Sequence, residues 1–378
     1  MTAPEAQVRP TWGEVDLDAI RANARQLAAL AAPAALLAVV KADGYGHGAV
    51  PTARAALDAG ATWLGVALVE EGAALRAAGL EAPILVLSEP PPGAAAAVVR
   101  AGLTPVVYTE PAVEALAKAV AEAAPDSPLP VHLKVDTGMH RVGCAPASVR
   151  PLVEAIAARP ELALEGLCTH FAVADEPERP ETAGQLAEFR RLLADLEGWT
   201  GRRPIAHAAN SAALLAFPEA RLDLVRVGIA LYGVTPAPAL ADRVALVPAL
   251  SVRARVTFVK TLPAGSRLSY GLRYALPAAG RVATVPVGYA DGVPRNLGLA
   301  GGEVLIGGRR HPIAGAVTMD QLMVDVGDDP VDVGDEVVLL GAQGGESITA
   351  EEWAERLGTI GYEIVTGIGP RVPRRYLG

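Results

Sequence analysis

From residue 12 to about 235, short apolar runs alternate with segments of helical spacing. The runs fall at 35–40, 63–68, 83–88, 104–108, 131–136, 164–170, 204–209 and 224–228, each bounded by Gly, Pro or a polar turn. Such runs read as β-strands. Between them Leu17, Ile20, Ala24 and Leu27 recur at i, i+3, i+7 and i+10, one face of a helix. Gly60, Gly79 and Gly102 stand where helix C-caps belong. Eight strands alternating with helices predict an α/β fold, a (β/α)8 TIM barrel. A doubly wound open sheet competes, but it normally has fewer strands and a phosphate loop after its first strand. Gly44-Tyr45-Gly46-His47-Gly48 is Gly-rich, yet it is neither G-x-G-x-x-G nor a Walker loop.

The helical period fades from about residue 245. Ser251–Val256 alternates, and 281–287, 303–306, 322–326 and 336–340 read as further strands, punctuated by Pro263-Ala264-Gly265 and Gly307-Gly308. Only 350–357 reads as a helix, with Thr349 and Glu352 in capping-box spacing. The expected division is a barrel over 12–240 and a mainly β domain over 241–378, with residues 1–11 packed against the second. The Pro-rich stretch Val234–Pro238 is the expected hinge.

The 378 residues are 51% hydrophobic, enough for two cores, and the formal charge is -9. No clustered Lys/Arg excess suggests nucleic acid. No apolar stretch has membrane-spanning length, and the N-terminus has no signal-peptide pattern. Cys144 and Cys168 are the only cysteines, and no Cys/His cluster has zinc spacing, so no metal is expected. The composition suits a cytoplasmic protein.

Candidate chemistry gathers at the C-terminal ends of the barrel strands, where sites on this fold lie. Lys41, one of only four lysines, follows the first strand. Unlike arginine, lysine can lose its proton and form a Schiff base. Asp136, His140 and Arg141 follow the fifth strand, and His170 ends the sixth. His207, Asn210 and Ser211 end the seventh, and Arg226, Gly228 and Ile229 the eighth. Any one of these is more often structural than catalytic; five strand ends agreeing is harder to obtain by chance. Loops seven and eight are the usual phosphate site of the fold, and here they offer hydroxyl and backbone N–H donors. A strand-end lysine with a phosphate site suggests pyridoxal 5'-phosphate.

Val39-Val40-Lys41-Ala42-Asp43-Gly44-Tyr45-Gly46-His47-Gly48 resembles the cofactor-attachment signature of alanine racemases. The resemblance continues through Lys134–Met139, Ala209–Ala213, Arg226–Ile229, Leu268–Gly271, Gly288–Gly292 and Thr318–Gln321. It implies a barrel followed by a β domain, assembled as a homodimer with composite active sites and acting on a small amino acid. It further implies that Lys41 carries the cofactor and is one acid/base group, with Tyr270 of the partner subunit as the other. Tyr45, Ser211, Gly228, Ile229 and Tyr362 would hold the phosphate, with Asn210 beside them. Arg226 would donate to the pyridine nitrogen, with His170 and His207 orienting Arg226 and Tyr270. Arg141 would contact the cofactor phenolate and the substrate carboxylate, and Met319 that carboxylate through its N–H. Lys134 resembles a position carbamylated in some members; the alternative is a free amine paired with a carboxylate. Ala316 stands where the family often has Arg, toward the entrance. The implied activity is interconversion of L- and D-alanine for peptidoglycan. A broader serine-accepting racemase and a non-catalytic cofactor-carrying protein are the alternatives.

Overall fold

The computed structural model describes residues 8–378. The strand β1 (Thr11–Asp16) precedes a helix, Leu17–Ala31, which is capped by Asp16 accepting from the Ala19 N–H at 3.0 Å. Eight parallel strands follow: β2 (Ala35–Val39), β3 (Trp63–Val66), β4 (Ile84–Val86), β5 (Thr104–Val107), β6 (Leu129–Lys134), β7 (Leu162–Cys168), β8 (Ile205–His207) and β9 (Leu224–Val227). Each falls within about two residues of an apolar run named above. They lie in the order β8-β7-β6-β5-β4-β3-β2-β9. The remaining gap, between β8 and β9, is bridged by Asp223 N–H to Ala206 O at 3.1 Å and Arg226 N–H to Ala209 O at 3.0 Å. The sheet is therefore a nearly closed barrel, and the open-sheet alternative falls. Gly60, Gly79 and Gly102 have φ of +110°, +81° and +55°, the left-handed geometry that a helix end needs.

The second domain is mainly β: β10 (Leu250–Arg255), β11 (Phe258–Leu262), β12 (Arg267–Leu268), β13 (Tyr274–Ala275), β14 (Gly280–Val285), β15 (Glu303–Ile306), β16 (Arg309–Pro312), β17 (Leu322–Gly327), β18 (Glu336–Gln343), β19 (Glu346–Ile348) and β20 (Arg374–Leu377). Its larger sheet runs β16-β15-β18-β10-β1-β20, with β19 on β18. The expectation began the barrel at residue 12, but Thr11–Asp16 lies inside this sheet, antiparallel to β10 and parallel to β20. Of residues 1–11, 1–7 lie outside the described residues. Arg9 reaches the buried Asp291 at 2.8 Å.

Two further differences concern the second domain. Thr349 caps the helix Ala350–Leu357 through its hydroxyl, but the Glu352 carboxylate turns to Arg310 and Arg356, so only half of a capping box forms. A second helix, Gly361–Gly367, carries Tyr362. The stretch after Gly233 is pinned rather than loose. Val234 is buried, and the Thr235 N–H donates to Glu351 at 2.9 Å. Among the described residues no helix is long and apolar enough to cross a membrane.

Candidate active site

β2 ends at the barrel mouth and delivers Lys41 into a cavity of about 720 Å³. Behind it the chain makes a left-handed turn: Ala42, Asp43, Gly44 and Tyr45 have φ of 51°, 50°, 62° and 52°. Left-handed backbone costs roughly 1–2 kcal/mol per non-glycine residue, so the turn persists only where its surroundings hold it. Glu71 accepts from the Ala42 N–H at 2.7 Å, and Asp43 accepts from the Ala49 N–H at 2.8 Å. The buried His47 places Nδ1 2.9 Å from the Tyr45 carbonyl and 3.1 Å from that of Gly44. Only a protonated Nδ1 can donate to both.

The turn aims Tyr45 at the loops after β8 and β9. A side chain at Gly228 would place Cβ 2.4 Å from the Tyr45 hydroxyl, so only glycine allows this approach. The Ser211 hydroxyl accepts from the Gly228 N–H at 3.0 Å. Tyr45, Ser211, Gly228, Ile229 and Tyr362 all line the cavity, and the Tyr45 and Tyr362 rings lie 6.3 Å apart. Asn210 lines it too, but its side chain caps the following helix by accepting from the Ala213 N–H at 2.9 Å.

Arg226 stands on β9, two residues before Gly228, and is buried. Its guanidinium donates to the carbonyls of Thr169, His207 and Ala208, and reaches Nδ1 of His207 at 2.9 Å and of His170 at 3.1 Å. It has no carboxylate ion-pair partner among the described residues. Burial pushes its acidity up, yet a guanidinium keeps its proton in a protein. Burial, then the Arg226 charge, hold His170 and His207 well below their usual range, so both are neutral.

Lys41, Lys134 and Arg141 share the cavity. Burial and the Arg141 charge lower the Lys41 pKa, and Glu71 opposes them. Lys134 is only 8% exposed, and its Nζ reaches the Leu87 carbonyl at 3.3 Å. Among the described residues it forms no ion pair with a carboxylate, so the free, carboxylate-paired reading is not what the structure holds. Burial lowers its pKa, and Arg226, Arg141 and Lys41 lower it further.

Not every expected residue gathers here. Tyr270 and Met319 are 68% and 52% exposed and do not line the cavity of their own chain. Asp136 and His140 brace their loop instead: Asp136 accepts from the N–H groups of Gly138 and His140, and His140 is exposed. Sequence reasoning missed Glu71, His132 and Glu165. His132 Nδ1 lies 2.8 Å from His207 Nε2, and its Nε2 lies 3.1 Å from Glu165. The available signal was a polar residue inside the apolar run Val131-His132-Leu133.

Residues 15–236 match the family model for the alanine racemase N-terminal domain, and 249–376 the model for its C-terminal domain. An alanine racemase of Symbiobacterium thermophilum is 52% identical over 98% of this chain and 98% of its own. The crystal structure of alanine racemase from Streptomyces lavendulae superposes with a TM-score of 0.93 at 44% identity, covering 98% of this chain and 97% of that one. A histidine racemase from Leuconostoc mesenteroides shares the architecture, with a TM-score of 0.88 at 31% identity over 99% of each chain. Two domain models matched in order, and relatives of this identity along nearly the whole chain, make the protein a member of the alanine racemase family, and an isomerase.

Proposed function

We propose that the protein interconverts L- and D-alanine using pyridoxal 5'-phosphate bound at the barrel mouth. The observation that carries this reading is the convergence on one cavity of a lysine of lowered pKa, a glycine-dependent cradle and a buried arginine with no acid partner. These residues fit the cofactor. Ser211, Tyr45 and the backbone at Gly228 and Ile229 suit a phosphate, and Lys41 suits its aldehyde carbon. Arg226 suits an unprotonated ring nitrogen, because a fixed cation discourages a proton there. When bound, the cofactor supplies an electron sink that acidifies the substrate Cα–H.

The chain's own groups do the rest. Arg141 at the cavity wall offers a cation for the substrate carboxylate. Racemisation removes a proton from one face of Cα and returns one to the other, so it needs two groups that can each hold a proton. The Lys41 amine, its proton weakened by burial, serves one face. The phenol of Tyr270 serves the other, contributed from the partner subunit of a homodimer, and the partner's Met319 N–H binds the carboxylate. The support for this assembly is that both residues stand exposed, outside their own chain's cavity, within family motifs. Lys134 is carbamylated in this reading, because a buried lysine among three cations gains from becoming an anion. Alanine rather than a larger amino acid is favoured by the closer identity to alanine racemases than to the histidine racemase. Supply of D-alanine for peptidoglycan in the cytoplasm is the use that the family resemblance implies.

Borohydride reduction and peptide mapping should find a pyridoxyl group on Lys41, and the protein should racemise alanine faster than serine. An adduct on Lys118 or Lys260, or no exchange of alanine enantiomers, would refute the reading.

A further inference from the structure

The C-terminal strand β20 belongs to the β domain, yet its first residue reaches across to the turn behind Lys41. The half-buried Arg374 guanidinium donates through Nε to the Gly46 carbonyl at 2.8 Å and through Nη1 to that of Gly369 at 3.0 Å. It also donates to the carbonyls of Val372 and Ile368. All four carbonyls are backbone, and Arg374 forms no carboxylate ion pair among the described residues. Burial lowers its pKa, so the charge is kept at a cost that these carbonyl dipoles offset.

Its placement links the groups around the cavity. The Gly46 N–H donates to the Ala42 carbonyl at 3.0 Å, and the Ala42 N–H donates to Glu71 at 2.7 Å. Lys41 is the residue before Ala42. On the other side, Ile368 and Gly369 end the helix Gly361–Gly367 that carries Tyr362. That helix packs so close that a Cβ on Gly46 would lie 2.6 Å from the Val365 carbonyl. Three of the four residues in the Ala42–Tyr45 turn are non-glycine at positive φ, so the turn needs bracing from outside. Glu71 braces its start from the barrel, and Arg374 its end from the β domain.

We propose that Arg374 is a positioning residue for Lys41: it clamps the strained turn to the Tyr362 helix, so the lysine and both tyrosines of the cavity are held as one unit. The catalytic consequence rests on the proposed function; the effect on Lys41 itself does not. A planar fork that serves four carbonyls at once cannot be replaced by an ammonium.

The test uses the full-length chain after hydroxylamine dialysis, labelled with acetic anhydride across a pH series and mapped by mass spectrometry. The labelling midpoint of Lys41 reports its environment, set by burial, Arg141, Glu71 and the neighbouring Lys134. Arg374→Gln should raise that midpoint as water enters the loosened turn, leaving the exposed Lys118 and Lys260 unmoved. In the holoenzyme kcat for alanine should fall about ten- to a hundredfold with KM little changed, the size expected for misplacing a reacting group. Methylguanidine added to Arg374→Ala should restore part of the rate. If Arg374→Gln fails to fold, Arg374→Lys keeps the charge and should still raise the Lys41 midpoint. A lower melting temperature with the midpoint and kcat unmoved would overturn the proposal, reducing Arg374 to a tie between domains. If borohydride reduction leaves no pyridoxyl group on Lys41 of the wild-type chain, the proposed function fails, while the labelling still decides the role of Arg374.

Discussion

Arg226 Nη1 lies 2.9 Å from Nδ1 of His207, and because a guanidinium can only donate, that nitrogen must accept. The constraint propagates. His207 then carries its proton on Nε2 and donates to Nδ1 of His132, which donates from Nε2 to Glu165. The same argument puts the His170 proton on Nε2. A buried cation is thus joined through two neutral imidazoles to a half-exposed carboxylate.

Neutron diffraction should therefore find deuterium on Nε2, and none on Nδ1, of His132, His170 and His207. Glu165→Gln retains an acceptor and should cost less than about 1 kcal/mol, whereas Glu165→Leu strands a buried donor and should cost about 1–3 kcal/mol. Equal costs in urea unfolding would mean that Glu165 accepts nothing from His132.

Stability should fall on mild acidification. Burial lowers the pKa of His47 to about 4, and also lowers His132, His170, His207 and His311. A folded pKa below the unfolded value of about 6.5 means the unfolded chain binds more protons in between. Stability then rises with pH: it is complete above about 6.5 and is lost as pH falls towards the folded values. His47 alone accounts for roughly 3 kcal/mol between pH 6.5 and 4, at 1.36 kcal/mol per pH unit. Urea midpoints from pH 8 to 5 should show this, and His47→Gln should flatten the slope by about one proton. A flat wild-type profile would contradict neutral burial.

The barrel was legible because each of its strands is a short apolar run closed by a turn, a pattern that needs no distant partner to be read. The site was legible as far as it sits at strand ends: Lys41, His170, Ser211, Arg226 and Gly228 all reach one cavity. What escaped depends on long-range pairing. β1 runs straight into a helix start and finds β10 nearly 240 positions later, so its alternation has nothing local to explain it. Glu71 looks like an ordinary helix-start acid until the Ala42 N–H turns toward it.

The composite sites proposed above predict complementation. Lys41→Ala and Tyr270→Ala homodimers should each be inactive. Mixed under subunit exchange, each heterodimer carries one doubly defective and one intact site. Activity should recover to about half of wild type per heterodimer, or about a quarter of a randomly exchanged pool. Background activity after verified exchange would exclude Tyr270 as the partner's contribution.

Lys134 should take up carbon dioxide. In ¹³C-bicarbonate the wild-type protein should give a carbamate signal that Lys134→Ala lacks. Depletion of carbon dioxide should lower activity reversibly, and small carboxylates should partly restore the variant. A wild-type spectrum without the signal would leave Lys134 an unmodified amine.

Followed along the chain, the barrel is an insertion. The sheet that holds β20 and β10 takes the strand between them from residues 11–16, so the β domain opens the described chain, is interrupted, and resumes more than 200 residues later. Asn23 fastens the two crossings together, donating to the Leu231 and Val247 carbonyls and accepting from the Val247 N–H. Two adjacent tethers act like a door hung on a pair of pins: bending at one crossing is resisted by the other. Residues 241–378 expressed alone would lack an internal strand and expose the facing edges of β10 and β20. During synthesis the barrel strands are all made before β10 and β20, the partners of β1, emerge, so the oldest strand waits for the youngest.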